Sequence, residues 1–364
     1  MTVQLPDLTL ECGATVRRPR LAGGDLGPGR SGPVTLVVHA LTGDARADQW
    51  WSGVVGRGAP VDPTVQRVLC FNNLGSCYGS SGPTDPDFPT TEDVPGPPSP
   101  VDAKGAFPRP RGFPAPITPW DQARALLGAL DRLGVHHVER LVGGSLGGMV
   151  ALCLAVLAPE RFGRVVALAT AARSTPWMQA YNHVGRQAIA LDPEGGLELA
   201  RQLAHLSYRA PGELGSRFGR DTLHDGPWRT HPYATQTYLT HQGRKLARRF
   251  DPMAYVAGLD AMDHHDLERR PVRNGWETWS DGGPWGIERL RGERLDLVAI
   301  DTDQLFPPSD LAWLHARVPG SRFVVLPSVH GHDGFLLESH GVARLLTRPR
   351  VRPSVAQEEL SCRS

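Results

Sequence analysis

The sequence predicts an α/β fold in which a mostly parallel central sheet is flanked by helices and carries an inserted helical cap. Short, apolar, β-branched runs occur in both halves of the chain, as expected for buried strands, and segments of helical periodicity separate them. Residues 173–290 instead contain polar helical segments and no strand-like run. We therefore expect an α/β core from residues 1–172 and 291–350, a cap or lid from 173–290, and a disordered tail at 351–364.

The individual elements follow from local patterns. The predicted buried strands are VTLVV (34–38), RVLCF (67–71), VVALATAA (165–172), RLDLVAIDTD (294–303) and RFVVLP (322–327). The run at 120–134 has apolar residues on one helical face and ends at a glycine, which predicts a helix. The stretch 72–83 is rich in Gly, Ser and Asn and is therefore a loop. Prolines punctuate residues 83–119, so a surface excursion or disordered insert without chemistry is expected there.

Composition argues against several classes of function. The 364 residues carry a formal net charge of +1 and no basic stripe, so neither nucleic acid nor a membrane surface is indicated as a partner. Five cysteines, an odd number without metal-ligand spacing, are expected to be reduced and buried. The N-terminal stretch lacks the features of a signal peptide, and no run of about 18 apolar residues is present. We therefore expect a cytoplasmic protein.

The stretch Gly143-Gly144-Ser145-Leu146-Gly147 matches the pattern G-x-S-x-G between a predicted strand and a predicted helix. A nucleophilic serine needs a tight, strained turn that projects its hydroxyl from the sheet, and the glycines remove Cβ atoms that would clash. The helix N-terminus behind the serine offers backbone N–H groups to a developing oxyanion. The pattern alone is weak, but this strand–turn–helix context favours a catalytic Ser145.

A serine hydroxyl requires a base, and the base requires an orienting carboxylate. In the α/β-hydrolase superfamily the acid and then the histidine follow the serine along the chain. Asp303 ends one predicted strand and His332 follows the next, which makes them the candidate acid and base. Asp301 and His330 are the alternatives. Asp301 would lie one layer deeper on the same face, and His330 lies nearer its strand.

Two backbone N–H groups are the candidates for an oxyanion hole. One belongs to Leu146, directly after the serine, and the other to Leu41 in HALTGD (39–44), the loop after an early strand. The histidine pairs at 136–137 and 264–265 lack a third partner at ligand spacing, so no metal is expected.

Seven stretches resemble the homoserine O-acyltransferases of the α/β-hydrolase type. They are HALTGD (39–44), NNLGSCYGSSGP (72–83), VGGSLGGM (142–149), LARQLAHLSYR (199–209), YLTHQGRKLARRFD (238–251), DTDQLFP (301–307) and GHDGFLLE (331–338). The resemblance implies transfer of an acetyl group from acetyl-CoA to the hydroxyl of L-homoserine, as in methionine biosynthesis. It also implies ping-pong chemistry through an acyl-serine, no cofactor other than acyl-CoA as substrate, and a homodimer formed through the cap.

By the same resemblance, an arginine and a tyrosine of the cap hold the amino acid. They correspond to Arg201 and Tyr208, whose spacing of seven residues places them on one helix face. An arginine fork suits a carboxylate, although a surface arginine and a packing tyrosine are the alternative. Asp333 resembles the family residue near the substrate amine.

The chain departs from the family pattern around the cap. The family pattern has a longer stretch between the residues that correspond to Asp192-Pro193 and Gly196-Leu197, whereas this chain has only Glu194-Gly195 there. The family pattern QGDK reads QGRK in this chain, so Arg244 reverses a charge. Residues 95–116 and 271–290 also diverge. These departures leave the acyl donor and the acceptor less well defined than the three candidate catalytic residues.

Several alternatives therefore stay open. Succinyl-CoA could be the donor, although its carboxylate would need an extra cation near the acyl pocket, and serine could be the acceptor. An esterase could use the same three residues, because it differs only in admitting water. A binding module without catalysis would predict a broken triad, and the sequence carries all three residue types in order.

Overall fold

A computed structural model describes residues 1–27, 32–96, 112–220, 233–270 and 283–348. It confirms the predicted architecture of a mostly parallel central sheet flanked by helices. The strands are β1 (Thr2–Gln4), β2 (Leu8–Thr9), β3 (Thr15–Val16), β4 (Arg20–Asp25), β5 (Val34–Val38), β6 (Arg67–Phe71), β7 (Val138–Gly144), β8 (Phe162–Leu168), β9 (Leu295–Ile300) and β10 (Arg322–Leu326). The helices are α1 (Ala47–Trp50), α2 (Pro119–Arg132), α3 (Leu146–Leu157), α4 (Pro176–Leu191), α5 (Pro193–Tyr208), α6 (Pro211–Phe218), α7 (Ala234–Ala247), α8 (Pro252–Asp263), α9 (Pro308–His315), α10 (Gly334–Leu337) and α11 (Ser339–Thr347). The predicted tail at 351–364 lies outside the described residues.

The central sheet has the strand order β1-β4-β6-β5-β7-β8-β9-β10, and β2 pairs separately with β3. The strands from β6 to β10 in this order run parallel, whereas β1 and β4 join antiparallel at one side. β5 and β6 are mostly apolar and buried along nearly their whole length, as expected for strands covered on both faces. The carboxyl ends of parallel strands meet at one edge, so the loops after β5, β7, β9 and β10 converge there.

Helices α2 and α3 anchor the sheet on one side. Every residue of α3 is buried, and the helix packs against α2, β7 and β8. Helix α2 begins where the sequence predicts, because Thr118 and Asp121 form a capping box around Pro119 at the first helical position. The helix that follows the G-x-S-x-G turn is therefore held rigidly within the core.

Helices α4 to α8 lie between β8 and β9, and we call them the cap helices. Three of them start at a capping side chain followed by proline: Thr175 before α4, Asp192 before α5 and Asp251 before α8. Helix α5 contacts α4, α7 and α8, so it is the central cap helix. Within the described ranges, no helix combines the length and apolar character needed to cross a bilayer.

The structure corrects two local predictions. β8 ends at Leu168 and not at residue 172, because Ala169 adopts a φ of 44°, which interrupts an extended strand. The described parts of the proline-rich stretch are only partly a surface excursion. Phe88 and Phe113 are each 6% exposed and Ile117 is fully buried, whereas Asp87, Glu92 and Asp93 are exposed. In addition, the four strands before residue 34, β1 to β4, have no counterpart among the predicted strands.

Candidate active site

The turn at Ser145 has the strained backbone that its sequence predicts. Ser145 lies between β7 and α3 with φ 58° and ψ −128°, a conformation that non-glycine residues rarely adopt. A Cβ on Gly143 would lie 2.1 Å from the carbonyl oxygen of Gly147, and a Cβ on Gly147 would lie 2.2 Å from that of Val38. The glycines are therefore required by close backbone approach, and the turn is locked against β5.

Ser145, His332 and Asp303 form one chain of hydrogen bonds. The Nε2 atom of His332 lies 2.9 Å from the Oγ of Ser145, and its Nδ1 atom lies 2.7 Å from the Oδ2 of Asp303. The three residues are between 3% and 5% exposed. Such an arrangement can remove the serine proton and stabilise the resulting imidazolium. The structure thus brings together the three residues that the sequence nominates as nucleophile, base and acid.

The orientation of Asp303 is fixed by its own backbone neighbours. Its Oδ1 atom accepts hydrogen bonds from the backbone N–H groups of Leu305 and Phe306, each at 2.9 Å. The other oxygen is thereby directed at His332. Because β9 ends at Ile300, Asp303 lies in the turn beyond the strand and does not close it.

The two alternative residues make other contacts. The Oδ1 atom of Asp301 accepts a hydrogen bond from the N–H of Ser328 at 2.8 Å. The Nδ1 atom of His330 lies 3.1 Å from the Oε1 of Glu213 on α6. Asp301 therefore binds the loop after β10 and His330 binds helix α6, and neither replaces a member of the hydrogen-bonded chain.

The surroundings of His332 favour its protonated form. Burial would lower the pKa of the imidazole, but the charge of Asp303 and its hydrogen bond outweigh burial and raise the pKa above the ordinary value. The rings of Tyr208, Phe306 and Phe335 surround the imidazole, with ring centroids 5.4, 5.3 and 5.5 Å away. The imidazole is therefore made more basic by Asp303 and is shielded from bulk water.

Of the two backbone groups proposed for an oxyanion hole, that of Leu146 directly follows Ser145. Leu146 is the first residue of α3, where backbone N–H groups have no intrahelical acceptor. The loop that contains Leu41 follows β5, and the carbonyl oxygens of Val38 and His39 lie against Gly147. The side chain of Leu41 packs against α8 at Gly258, which fixes the loop from the other side.

Arg201 and Tyr208 share one face of α5, as predicted. The guanidinium carbon of Arg201 lies 5.3 Å from the ring centroid of Tyr208, which places the cation over the ring. Tyr208 in turn lies against His332 and shares a hydrogen bond with Tyr255 of α8. Among the described residues, no acidic side chain forms an ion pair with Arg201. The ring of Tyr208 thus lies between the guanidinium of Arg201 and the imidazole of His332.

Asp333 directly follows His332, and its carboxylate belongs to a larger ionic cluster. Its Oδ2 atom lies 3.2 Å from the Nε of Arg209, whose Nη1 donates a hydrogen bond to Glu213 at 2.9 Å. Glu213 also contacts His330. No local sequence pattern points to Arg209 or Glu213, because their contact with Asp333 depends on how α5 and α6 fold over the loop after β10.

One further side chain supports the nucleophile turn. The hydroxyl of Thr170 donates a hydrogen bond to the carbonyl oxygen of Ser145 at 2.9 Å, and its Cβ lies 2.7 Å from the Cβ position of Gly148. Thr170 is fully buried after β8. The sequence places Thr170 inside the predicted strand 165–172, so no local pattern indicates its contact with Ser145.

A serine turn, an imidazole and a buried carboxylate at the edge of a parallel sheet define a protein of the α/β-hydrolase fold with a serine as candidate nucleophile. The family described as alpha/beta hydrolase fold matches residues 33–339. The chain is 38% identical to the homoserine O-acetyltransferase of Thermus thermophilus over 340 residues, which cover 85% of this chain and 80% of that protein. It is 37% identical to the homoserine O-acetyltransferase of Salinibacter ruber, covering 98% of this chain and 99% of that one. The crystal structure of homoserine O-acetyltransferase from Staphylococcus aureus is similar with a TM-score of 0.73 and 27% identity, covering 99% of this chain and 98% of that one.

The chain therefore belongs to the homoserine O-acetyltransferase family of α/β-hydrolase-fold enzymes. This confirms the resemblance that the seven sequence stretches indicate.

Proposed function

We propose that this enzyme transfers an acetyl group from acetyl-CoA to the hydroxyl of L-homoserine through an acyl-enzyme on Ser145. The observation that carries the proposal is the position of His332. It bonds Ser145 on one side and Asp303 on the other, and it lies against the face of α5 that bears Arg201 and Tyr208. Family membership supports the same reaction.

In the first half-reaction the Oγ of Ser145 attacks the thioester carbon while His332 takes the hydroxyl proton. The carbon–sulfur bond breaks, and the proton passes from His332 to the departing CoA thiolate. Asp303 holds the imidazole in the productive tautomer and stabilises its charged form. The backbone N–H groups of Leu41 and Leu146 bind the oxygen of the tetrahedral intermediate.

In the second half-reaction the hydroxyl of homoserine attacks the acyl-serine. His332 takes the hydroxyl proton and returns it to the Oγ of Ser145 as the new ester leaves. The carboxylate of homoserine pairs with Arg201, and Tyr208 forms the wall between that pair and the base. Asp333, held by Arg209, receives the amine of the acceptor.

Acetyl-CoA fits the charges around the site better than succinyl-CoA. A succinyl carboxylate would need its own cation, and Arg209, the other arginine near His332, is already paired with Glu213 and Asp333. Arg201 is needed for the carboxylate of the acceptor. The reaction uses acyl-CoA as a substrate and needs no further cofactor, and we place it in the cytoplasm within methionine biosynthesis.

An exposed apolar stripe on the cap helices supports a homodimer. Trp177, Val184 and Leu191 recur every seven residues on α4, as do Leu199 and Leu206 on α5, and all are between 43% and 84% exposed. Exposed apolar residues with this spacing favour packing against a second pair of helices. Sedimentation of the purified protein tests this, and a monomer at micromolar concentration would contradict it.

The substrates are tested by measuring the release of CoA with acetyl-CoA or succinyl-CoA as donor and L-homoserine or L-serine as acceptor. We expect fast release only with acetyl-CoA and homoserine together, and acetylation of the peptide that contains Ser145 when acetyl-CoA is added alone. If CoA is released at the same rate without an acceptor, water must hydrolyse the acyl-enzyme. The enzyme would then be an esterase and not an acyltransferase.

A further inference from the structure

We propose that a basic groove along helix α7 binds the phosphate groups of acyl-CoA. The inference rests on the proposed function for the identity of the ligand. The groove has a volume of about 500 Å³ and is lined by Gln236, Thr237, Thr240, His241, Arg244, Lys245 and Arg248. Nothing in the reaction described so far uses these residues.

The charge of the groove is almost uncompensated. Lys245 and Arg248 are exposed and form no ion pair with an acidic residue in the parts of the chain that the structure describes. Arg244 has only a long contact, 3.8 Å from its Nε to the Oε2 of Glu198. Arg46, by contrast, is an exposed arginine with a close acidic partner, Asp44. Three cations on one helix face in a chain of net charge +1 form a local anion-binding surface.

The sequence concentrates this charge at one place. Arg244 is the residue that reverses a charge relative to the QGDK pattern of the resembled family, so the groove gains a cation where that pattern has an acid. Lys245 is one of only two lysines in a chain with 39 basic residues. One arginine guanidinium can donate hydrogen bonds to two oxygens of a phosphate at once, and a lysine adds a compact positive charge.

The groove lies beside the elements that surround Ser145. Arg249, next to Arg248, donates hydrogen bonds to the carbonyl oxygen of Thr42 at 3.0 Å and to the hydroxyl of Tyr78 at 2.7 Å. Thr42 directly follows Leu41 in the loop after β5. The C-terminal end of α7 is thus tied to the loop that carries a proposed oxyanion donor.

A second set of contacts connects the groove with the base. Helices α5 and α7 pack together. His205 of α5 lies 5.8 Å from the ring of Tyr238 on α7 and 6.1 Å from the ring of Tyr208, which lies 5.4 Å from the ring of His332. Helices α5 and α7 therefore connect the groove with the loop that carries His332.

Of the two substrates, only the donor fits such a site. Homoserine is small, and its carboxylate is assigned to Arg201. Acyl-CoA carries its thioester at one end of a long flexible arm and a diphosphate and a 3′-phosphate at the other. A cationic groove at a distance from Ser145 can hold the phosphates while the thioester reaches the nucleophile, so that remote binding energy helps to position the reacting carbon.

The test removes the groove charges and compares two donors. The double variant with Lys245→Gln and Arg248→Gln is measured against a control with Arg57→Gln and Arg132→Gln, which removes two other exposed charges. The donors are acetyl-CoA and S-acetylpantetheine, which lacks all phosphates. We expect the groove variant to raise the KM for acetyl-CoA about tenfold, the loss expected for charge-assisted hydrogen bonds. Its KM values for S-acetylpantetheine and homoserine should stay within about twofold, and the control should match the wild type.

Direct binding separates this inference from the proposed function. Adenosine 3′,5′-bisphosphate is titrated into each protein by calorimetry, without any turnover. If binding weakens only in the groove variant, the phosphate-binding role of the groove is supported. This holds even if the wild type acetylates no acceptor, a result that would refute only the proposed function. Equal binding by the variant and the wild type, or no binding by either, overturns the groove even if acetyl transfer is fast. A melting curve for each variant identifies any loss of folding.

Discussion

Replacing Asp303 by asparagine is the sharpest test of the catalytic geometry. The amide oxygen of the new side chain can still accept the backbone N–H groups of Leu305 and Phe306, which now bind Oδ1 of Asp303. The NH₂ group then faces the Nδ1 of His332, where the carboxylate accepted a hydrogen bond. Because two donors cannot face each other, His332 takes the opposite tautomer and presents an N–H to Ser145. The hydroxyl of Ser145 thereby loses the nitrogen that accepts its proton, although the side chain at position 303 keeps its shape.

The size of the effect follows from two consequences. The wrong tautomer in a triad of this type lowers kcat by about 10⁴, or about 5 kcal/mol in the activation barrier. The substitution also removes the charge that outweighs burial, so the pKa of His332 falls from above to below its ordinary value. In the wild type the base must be neutral, so activity should fall with decreasing pH through a pKa above 6.5. In the variant this acid limb should move to lower pH.

The assay is CoA release from acetyl-CoA in the presence of homoserine, measured across the range from mildly acidic to mildly alkaline pH. Asp301→Asn is the matched control, because Asp301 lies two residues away and its acceptor role toward Ser328 survives in an amide. We expect the control to keep its activity within a few-fold and its acid limb unchanged. If Asp303→Asn kept more than a tenth of wild-type activity, or Asp301→Asn lost as much as Asp303→Asn, the assignment of the acid would be wrong.

Four further substitutions test the remaining parts of the site and the fold. Ser145→Ala should lower turnover by about 10⁶-fold and leave the melting temperature unchanged, and residual acetylation at wild-type rates would exclude an acyl-serine. Arg201→Ala should raise the KM for homoserine about thirtyfold through loss of a charged hydrogen bond while the KM for acetyl-CoA stays constant; an unchanged KM for homoserine would remove it from the site. Gly147→Ala places a Cβ 2.2 Å from a carbonyl oxygen of β5 and should lower the free energy of unfolding, measured in urea, by about 3 kcal/mol. The control Gly215→Ala meets open space on α6 and should not lower it. His205 is buried without a hydrogen-bond partner, and burial together with nearby cations lowers its pKa to about 2. Below about pH 6.5 the unfolded chain therefore binds a proton at His205 that the folded chain does not. As the pH falls from about 7 to about 5, the free energy of unfolding of the wild type should decrease by about 2 kcal/mol more than that of His205→Leu. Equal decreases in urea unfolding would contradict this.

The sequence predicts the centre of this site well for a geometric reason. Ser145, Asp303 and His332 each follow a separate apolar strand, and parallel strands deliver their carboxyl ends to one edge. The contacts of Arg209 could not be predicted in the same way. They depend on the angle at which α5 and α6 cross the loop after β10, and no local pattern records that angle. β4 shows no strand pattern for a related reason, since Gly23, which is required by close contact with β6, and Gly24 both weaken that pattern.

Transfer and hydrolysis require the same three residues, so the fold at Ser145 does not decide between them. The difference lies in what can approach His332 when the acyl-enzyme waits for a nucleophile. That imidazole is 3% exposed and is enclosed by three aromatic rings, one of which, Tyr208, belongs to the cap helices. An acceptor whose carboxylate binds Arg201 gains an anchor on the same helix face, whereas water gains none. Specificity for an amino-acid acceptor should therefore depend on helix α5 and not on the catalytic residues themselves.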